Sequence, residues 1–243
     1  MKKPKVIIVM PARNSAKTLE KTYNEIPKEF RKHILLADNA SKDDTISIAR
    51  SLGIKIIKHQ KDIGYGGSQK DLYKRALKDR ADIVVMLHPD YQYDGRKIPS
   101  LIEPIIKGEA DFVMGSRILG DGAKTMPLYK FIGNRILTVI ENFILGINIS
   151  ELHSGMRAYN RKLLETMPFM MNSDDYVFDS EFIVQTAAFG FRFSEIGVPT
   201  RYFKEASSIN PKRAFKYGAT TLVTLLKFIL HKYGIKKYKQ FGK

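Results

Sequence analysis

The sequence predicts an α/β fold, a mostly parallel, doubly wound sheet flanked by helices. Three observations point there. Short β-branched apolar runs alternate with longer stretches of helical period through the N-terminal half. Four of the five runs are apolar throughout, as strands buried on both faces are. Each run then ends in polar or glycine-rich sequence, and such sheets bind their ligands at the carboxyl ends of the strands.

Taken in order, residues 6–10, 34–37, 54–58, 83–87 and 112–114 read as buried strands. Between them, 16–29, 43–52, 67–78 and 97–107 read as helices. Ser41 with Asp44 three residues later resembles a capping box that has Asp in place of Glu. Phe131, Ile132, Ile136, Val139, Ile140, Phe143, Ile144 and Ile147 recur at three- and four-residue steps, which predicts an amphipathic helix within 128–149. Residues 179–189 read as a helix ending at Gly190. Residues 191–193 and 196–202 read as strands, and a last helix is expected over 211–231. No repeat or Gly/Ser linker interrupts the chain. One domain is expected over 1–205, with a basic helical extension over 206–243.

Composition narrows the function. Of 243 residues, 44% are apolar and 27% charged, which describes a folded globular protein. The absence of cysteine excludes disulfides, zinc-thiolate sites and thiol catalysis, and suits a reducing cytosol. The formal charge is +16, and residues 206–243 carry nine Lys or Arg and no acid. Such an excess suits nucleic acid, an anionic membrane surface or phosphate-bearing substrates. The basic start followed by residues 6–10 is too short in its apolar part for a signal peptide and reads better as a first strand. No run reaches the roughly 18–20 apolar residues of a membrane span. The longest candidates, 222–230 and 128–149, are broken by Lys227 and by Lys130, Arg135 and Glu141.

The segments after the strands hold the chemistry. They are Pro11-Ala12-Arg13-Asn14, then Asp38-Asn39-Ala40-Ser41 through Thr45, then Ile63-Gly64-Tyr65-Gly66-Gly67. His88-Pro89-Asp90-Tyr91-Gln92 and Gly115-Ser116-Arg117 follow the fourth and fifth strands. Asp and Ser cap helices and glycines make turns, so any one of them has a bland reading. Five at one sheet edge go beyond capping. If 88–92 is extended, His88, Asp90 and Gln92 face one way. Gly66 and Gly67 either let backbone approach a nucleotide or simply turn into the next helix. Arg117 and Arg157 are suited to phosphate oxygens or to ordinary ion pairs.

In this order and spacing the segments resemble family 2 glycosyltransferases of the GT-A fold, in the branch of dolichol-phosphate mannose synthase. Pro11–Asn14 resembles Pro-Ala-Tyr-Asn, 38–45 resembles Asp-Asp-Gly-Ser-x-Asp-Gly-Thr, and 88–92 resembles Asp-Ala-Asp-Leu-Gln. Gly115-Ser116-Arg117 and Ser154-Gly155-Met156-Arg157 resemble Gly-Ser-Arg and Ser-Gly-Phe-Arg. Arg13, Asn39, Ala40 and His88 depart from the pattern.

The resemblance implies an inverting transferase that uses a UDP- or GDP-linked sugar with Mn²⁺ or Mg²⁺. Asp90 would bind the metal, with Gln92 assisting. His88 would either favour Mn²⁺ or touch the sugar nucleotide without metal. Pro11, Ala12, Arg13, Asn14, Asp38, Ser41, Gly66 and Gly67 would hold the donor. Arg117, Lys130, Asn134, Ser154 and Arg157 would serve phosphates or acceptor. Asp179 falls where relatives that glycosylate hydroxyls keep a catalytic base, which a phosphate acceptor does not need. The implied acceptor is a polyprenyl phosphate or another membrane-associated molecule, and a saccharide or lipid hydroxyl is the alternative. Glu205-Ala206-Ser207-Ser208 stands where the branch usually has Arg and Lys. The amphipathic stretch and basic tail suit a cytoplasmic protein peripheral at the inner face of an anionic membrane. The resemblance also admits a membrane-protein partner, and no nucleic acid is expected. Against it stands a non-enzymatic basic module, with Tyr217, Phe228, Tyr233, Tyr238 and Phe241 among its lysines. A nucleotidyltransferase would want glycines after the first strand, which Pro11–Asn14 lacks.

Overall fold

Strand β1 (Val6–Ala12) is buried along its whole length, because apolar residues face both layers of helices. It pairs in parallel with β2 (Ile34–Asn39) on one side and β4 (Ile83–Met86) on the other. With β3 (Lys55–His59), β5 (Phe112–Ser116), β6 (Arg157–Asn160) and β7 (Phe193–Gly197) they form one seven-stranded sheet, ordered β3-β2-β1-β4-β6-β5-β7. The computed structural model describes residues 3–122, 126–203 and 211–242. The helices are α1 (Leu19–Glu25), α2 (Thr45–Ser51), α3 (Tyr65–Lys78), α4 (Ile98–Ile106), α5 (Leu128–Leu145), α6 (Arg161–Thr166), α7 (Phe178–Ala188) and α8 (Pro211–Lys232).

Alternation along the strands splits the core in two. Ile8, Met10, Leu36 and Val85 pack with Leu19, Ile26 and Leu101 on one face. Ile7, Val9, Leu35 and Val84 pack with Leu72, Tyr73 and Phe182 on the other. A third cluster joins Val184 of α7 to Leu225 and Phe228 of α8 and to Phe241. The last helix is thus packed against the body of the protein. The expected boundary at 205/206 and the segment Glu205–Ser208 lie outside the described residues.

Several expectations are corrected. Strand β6 and helix α6 were not foreseen, because four residues of mixed polarity carry no strand period. β6 runs antiparallel to both β4 and β5. Its first residue, Arg157, therefore pairs with Met86 at the edge where the parallel strands end. Helix α1 is shorter than 16–29, because Ile26 is extended ahead of Pro27. The two strands expected over 191–202 are one, Phe193–Gly197, and Thr200 keeps only a bridge to Tyr93. Ser41 does not cap α2. Its Oγ accepts from the Asn14 backbone N–H at 2.9 Å, and Asp43 accepts from both the backbone N–H and the hydroxyl of Thr45.

The turns after β1 and β2 lean on each other. Asn14 Oδ1 accepts from the Lys42 N–H at 2.8 Å. Asn14 and Ala40 both hold left-handed backbone, at φ 52° and 54°. Asn tolerates this region, whereas for Ala it costs about 1–2 kcal/mol. Ala40→Gly should therefore stabilise the protein by about 0.5–1 kcal/mol, net of the added freedom of the unfolded chain. Thermal unfolding should show the midpoint rising by about 2–4 °C; an unchanged or lower midpoint would refute the strain.

Candidate active site

A cavity of about 720 Å³ opens at the carboxyl edge of the parallel strands. Pro11, Ala12 and Arg13 reach it from the end of β1, His88, Asp90 and Gln92 from beyond β4, and Arg117 from beyond β5. Lys130 and Asn134 of α5, Arg157 of β6 and Asp179 of α7 complete the expected residues brought together. Asn14, Asp38, Ser41, Gly66, Gly67 and Ser154 are not among the lining residues.

The 88–92 segment converges by a turn, not by strand alternation. Tyr91 has φ 60°, and Asp90 Oδ1 accepts from the Gln92 N–H at 3.0 Å. Helix α1 grips one side: the Thr18 hydroxyl donates to the Pro89 carbonyl at 2.7 Å, and Thr22 Oγ1 accepts from the Tyr91 N–H. On the other side the Arg201 N–H donates to the Gln92 carbonyl, and its guanidinium sits 4.3 Å from the Tyr91 ring centre. Asp90 and Gln92 are thereby held at the cavity with little freedom.

His88 stacks on Tyr65, ring centres 5.5 Å apart. The Tyr65 hydroxyl donates to Asp179 Oδ2 and lies 3.1 Å from His88 Nε2. The phenol proton is therefore spoken for, and His88 Nε2 carries the proton it donates to Tyr65, leaving Nδ1 as the acceptor nitrogen. Burial lowers the His88 pKa against the pull of Asp90 and Asp179, so the ring is neutral near pH 7. Gly155 makes room for it, since a Cβ there would lie 2.5 Å from His88 Cδ2.

Arg157 and Asp179 meet beneath the cavity. Arg157 is almost fully buried, and its Nη2 donates to Asp179 Oδ2 at 2.6 Å. Its Nε donates to the Ser154 carbonyl, and Gln69 donates to Asp179 Oδ1 at 2.8 Å. Burial alone would raise the Asp179 pKa, but the Arg157 charge and hydrogen bonds from Arg157 and Gln69 hold it below the ordinary value. Arg157 is thus a structural counter-charge rather than an open phosphate contact. Arg117 is similarly committed. Its Nε donates to Glu151 Oε1 at 2.7 Å and its backbone N–H to Oε2 at 2.6 Å. Asn134 Nδ2 donates to the same carboxylate. The fully buried Glu151 therefore organises Arg117 and Asn134 at the cavity, and the sequence reading missed it.

Gly66 and Gly67 serve the protein itself. Both backbone N–H groups donate to the Asp174 carbonyl, and a Cβ at Gly66 would lie 2.3 Å from the Ser173 oxygen. Asp38 is fully buried, and its Oδ2 accepts from the Ser41 N–H. Its expected place is taken by Asn39 and Asp62, which do line the cavity. His153 Nδ1 is 2.9 Å from the Tyr217 hydroxyl, and its Nε2 is 2.9 Å from the buried Glu141. Among the described residues no three His, Asp or Glu side chains are grouped to hold a metal ion by themselves.

Asp179→Asn should leave the buried Arg157 charge unanswered and destabilise the protein by about 3–5 kcal/mol. Replacing both, as Arg157→Met with Asp179→Leu, should recover most of that loss in urea unfolding. A single variant as stable as the wild type would show that the pair is not what holds the floor.

The family model described as glycosyl transferase family 2 matches residues 7–167. The chain is 27% identical over 231 residues to a UDP-N-acetylglucosamine–dolichyl-phosphate N-acetylglucosaminyltransferase of Methanococcus voltae, covering 87% of this chain and 92% of that protein. It is 27% identical over 225 residues to a dolichyl-phosphate hexose transferase of Haloferax volcanii, covering 92% and 93%. Glucosyl-3-phosphoglycerate synthase from Mycobacterium tuberculosis, solved with Mn²⁺, uridine diphosphate and glucosyl-3-phosphoglycerate, superposes with a TM-score of 0.70 at 19% identity, over 93% of this chain and 80% of that one. The fold is that of the GT-A glycosyltransferases, and the chain belongs to glycosyl transferase family 2.

Proposed function

We propose that this glycosyltransferase moves a sugar, with inversion, from a nucleoside-diphosphate sugar to a polyprenyl phosphate at a lipid–water interface. The observation that carries the choice of acceptor is the commitment of Asp179. A hydroxyl acceptor needs a base, and the carboxylate in that position is filled by Arg157, Gln69 and Tyr65 and held at a low pKa. A phosphate monoester has its second pKa at about 6 and is already a nucleophile near neutrality. The names of the Methanococcus and Haloferax relatives support the same acceptor class.

The residues also fit a divalent cation. Mg²⁺ and Mn²⁺ sites of this kind take one or two carboxylates and complete their shell with water and substrate phosphates. Asp90, with the amide oxygen of Gln92, would hold such an ion, and His88 Nδ1 is a neutral donor beside them. When bound, the ion neutralises charge on the departing diphosphate. Lys130 and Asn134 line the side of the cavity near Arg117, where an acceptor phosphate would be oriented. The acceptor oxygen then attacks the anomeric carbon opposite the diphosphate, whose oxygen leaves with the bonding electrons. The basic-module alternative keeps fewer of its aromatic side chains, because Phe228 and Phe241 are buried and Tyr217 is tied to Ser180.

With Mn²⁺ present, purified protein screened against UDP- and GDP-sugars should glycosylate a polyprenyl phosphate and leave the matching polyprenol untouched. Asp90→Asn should lower turnover at least about 10²-fold. Transfer to the alcohol in preference, or no reaction with any nucleotide sugar, refutes the reading.

The interface follows from α5 and α8. Leu128, Ile132, Ile136, Val139 and Phe143 form one stripe along α5, and Phe143 is 88% exposed. Phe215, Leu222, Val223 and Leu226 are exposed along α8, among Lys216 and Lys227. No helix among the described residues is long and apolar enough to cross a membrane. These faces suit adsorption to anionic lipid. Sedimentation with vesicles should show binding that depends on anionic lipid and falls about tenfold or more in Phe143→Ser. Equal binding by the variant would place the contact elsewhere.

A further inference from the structure

We propose that Asp62 reads the base of the donor nucleotide by accepting from a ring N–H, and that Asn39 positions it to do so. The inference rests on the nucleotide-sugar reading above. The cavity has two chemically different ends. One carries Arg117 and Lys130 on the side of β5, and the other carries Arg13, Asn39 and Asp62 at the ends of β1 and β2 and in the loop after β3. Asp90 follows β4, which stands between β3-β2-β1 and β5 in the strand order. A diphosphate reaching toward Asp90 thus leaves its nucleoside to the second end.

The Asp62 carboxylate is oriented with care. Oδ1 accepts from Asn39 Nδ2 at 2.7 Å and from the Gly64 N–H at 2.9 Å. Asn39 is itself fixed, since its Oδ1 accepts from the Ile63 N–H at 2.9 Å. That arrangement saturates Oδ1 and turns Oδ2 outward, where the half-exposed Arg13 forms an ion pair with it. The Gly64 hydrogen bond, helped by the Asn39 hydrogen bond and the Arg13 charge and hydrogen bond, holds the Asp62 pKa below its ordinary value against the opposing effect of burial. Asp62 is therefore an ionised group that accepts and never donates.

An acceptor beside a guanidinium donor matches a base edge that has a ring N–H next to a carbonyl. Uracil offers N3–H between two carbonyls, and guanine offers N1–H beside one. Cytosine presents a lone pair at N3 and adenine one at N1, and each would face the carboxylate unpaired. Asn39 is what allows the arrangement. A carboxylate in its place would set a second negative charge 2.7 Å from Asp62 with no proton to share. Asp38 cannot take the role, being fully buried and away from the cavity lining.

Calorimetric titration of the full chain with UDP, GDP and CDP, in the presence of Mg²⁺, tests this without any turnover. UDP or GDP should bind about 10–100-fold more tightly than CDP, the range of one hydrogen bond to a charged group; the two arms tell which base is taken. Asp62→Asn, whose amide can donate to cytosine N3, should bring that ratio within about threefold or invert it. Asn39→Ala should lower the ratio while leaving CDP binding little changed, which loss of structure alone would not do. Asp62 is half exposed, so a melting curve of Asp62→Asn is expected to match the wild type. A discrimination ratio that Asp62→Asn leaves unchanged, or a wild type that binds CDP as well as UDP, overturns this inference alone. Binding of no nucleotide overturns the donor reading with it.

Discussion

The guanidinium of Arg157 lies under the cavity with Asp179 answering its charge, and much of the site is built upon that contact. Through Asp179 it fixes Gln69 and Tyr65, and through Tyr65 it fixes the tautomer of His88. Through its own Nε it fixes the Ser154 carbonyl, and Gly155 beyond it leaves the space His88 fills. A buried pair of this kind adds little net stability over apolar packing, yet removing one partner is expensive. Its value here is geometric. It holds an imidazole and a tyrosine hydroxyl in one arrangement at the side of the Asp90 turn.

That contact exists only because β6 runs against its neighbours. In a fully parallel sheet, Arg157 at the start of a strand would lie at the edge opposite the cavity. Reversal brings it level with Met86, the last residue of β4. The loop before it, Glu151 to Gly155, is carried to the same edge, and this is how Glu151 comes to hold Arg117 and Asn134. The reversal of one strand thus brings both Arg157 and Glu151 to the cavity edge.

What the sequence made legible was the set of strand ends. β-branched runs have a clear period, and a polar segment after each of them can be counted. The pattern located Arg13, His88, Asp90 and Arg117 at one cavity, and the family resemblance added Asp179. It failed where the decisive fact was a partner distant in the chain. The buried Glu151 looks like any surface acid in a loop. Arg157–Ala158–Tyr159–Asn160 is too short to show a strand. Asp90 and Gln92 converge for a different reason from the one expected, because Tyr91 turns left-handed between them. Gly66 and Gly67 suited a close approach of nucleotide as well as a plain turn, but the backbone that approaches Gly66 is that of Ser173 and Asp174.

The charge of +16 also changes meaning once the fold is known. Its C-terminal share sits largely on and after α8, and α8 is no loose tail: Leu225 and Phe228 are part of the third core cluster. The same helix presents Arg213, Lys216 and Tyr217 to the cavity and Phe215, Leu222 and Leu226 to solvent. Helix α5 divides its residues alike, with Lys130 and Asn134 at the cavity and Ile136 and Phe143 outside. An acceptor with a charged head and an apolar tail would need both kinds of surface on adjoining elements. Two packed helices that each carry both are a more economical account of the excess charge than a polyanion partner, which would have no use for the exposed apolar stripes.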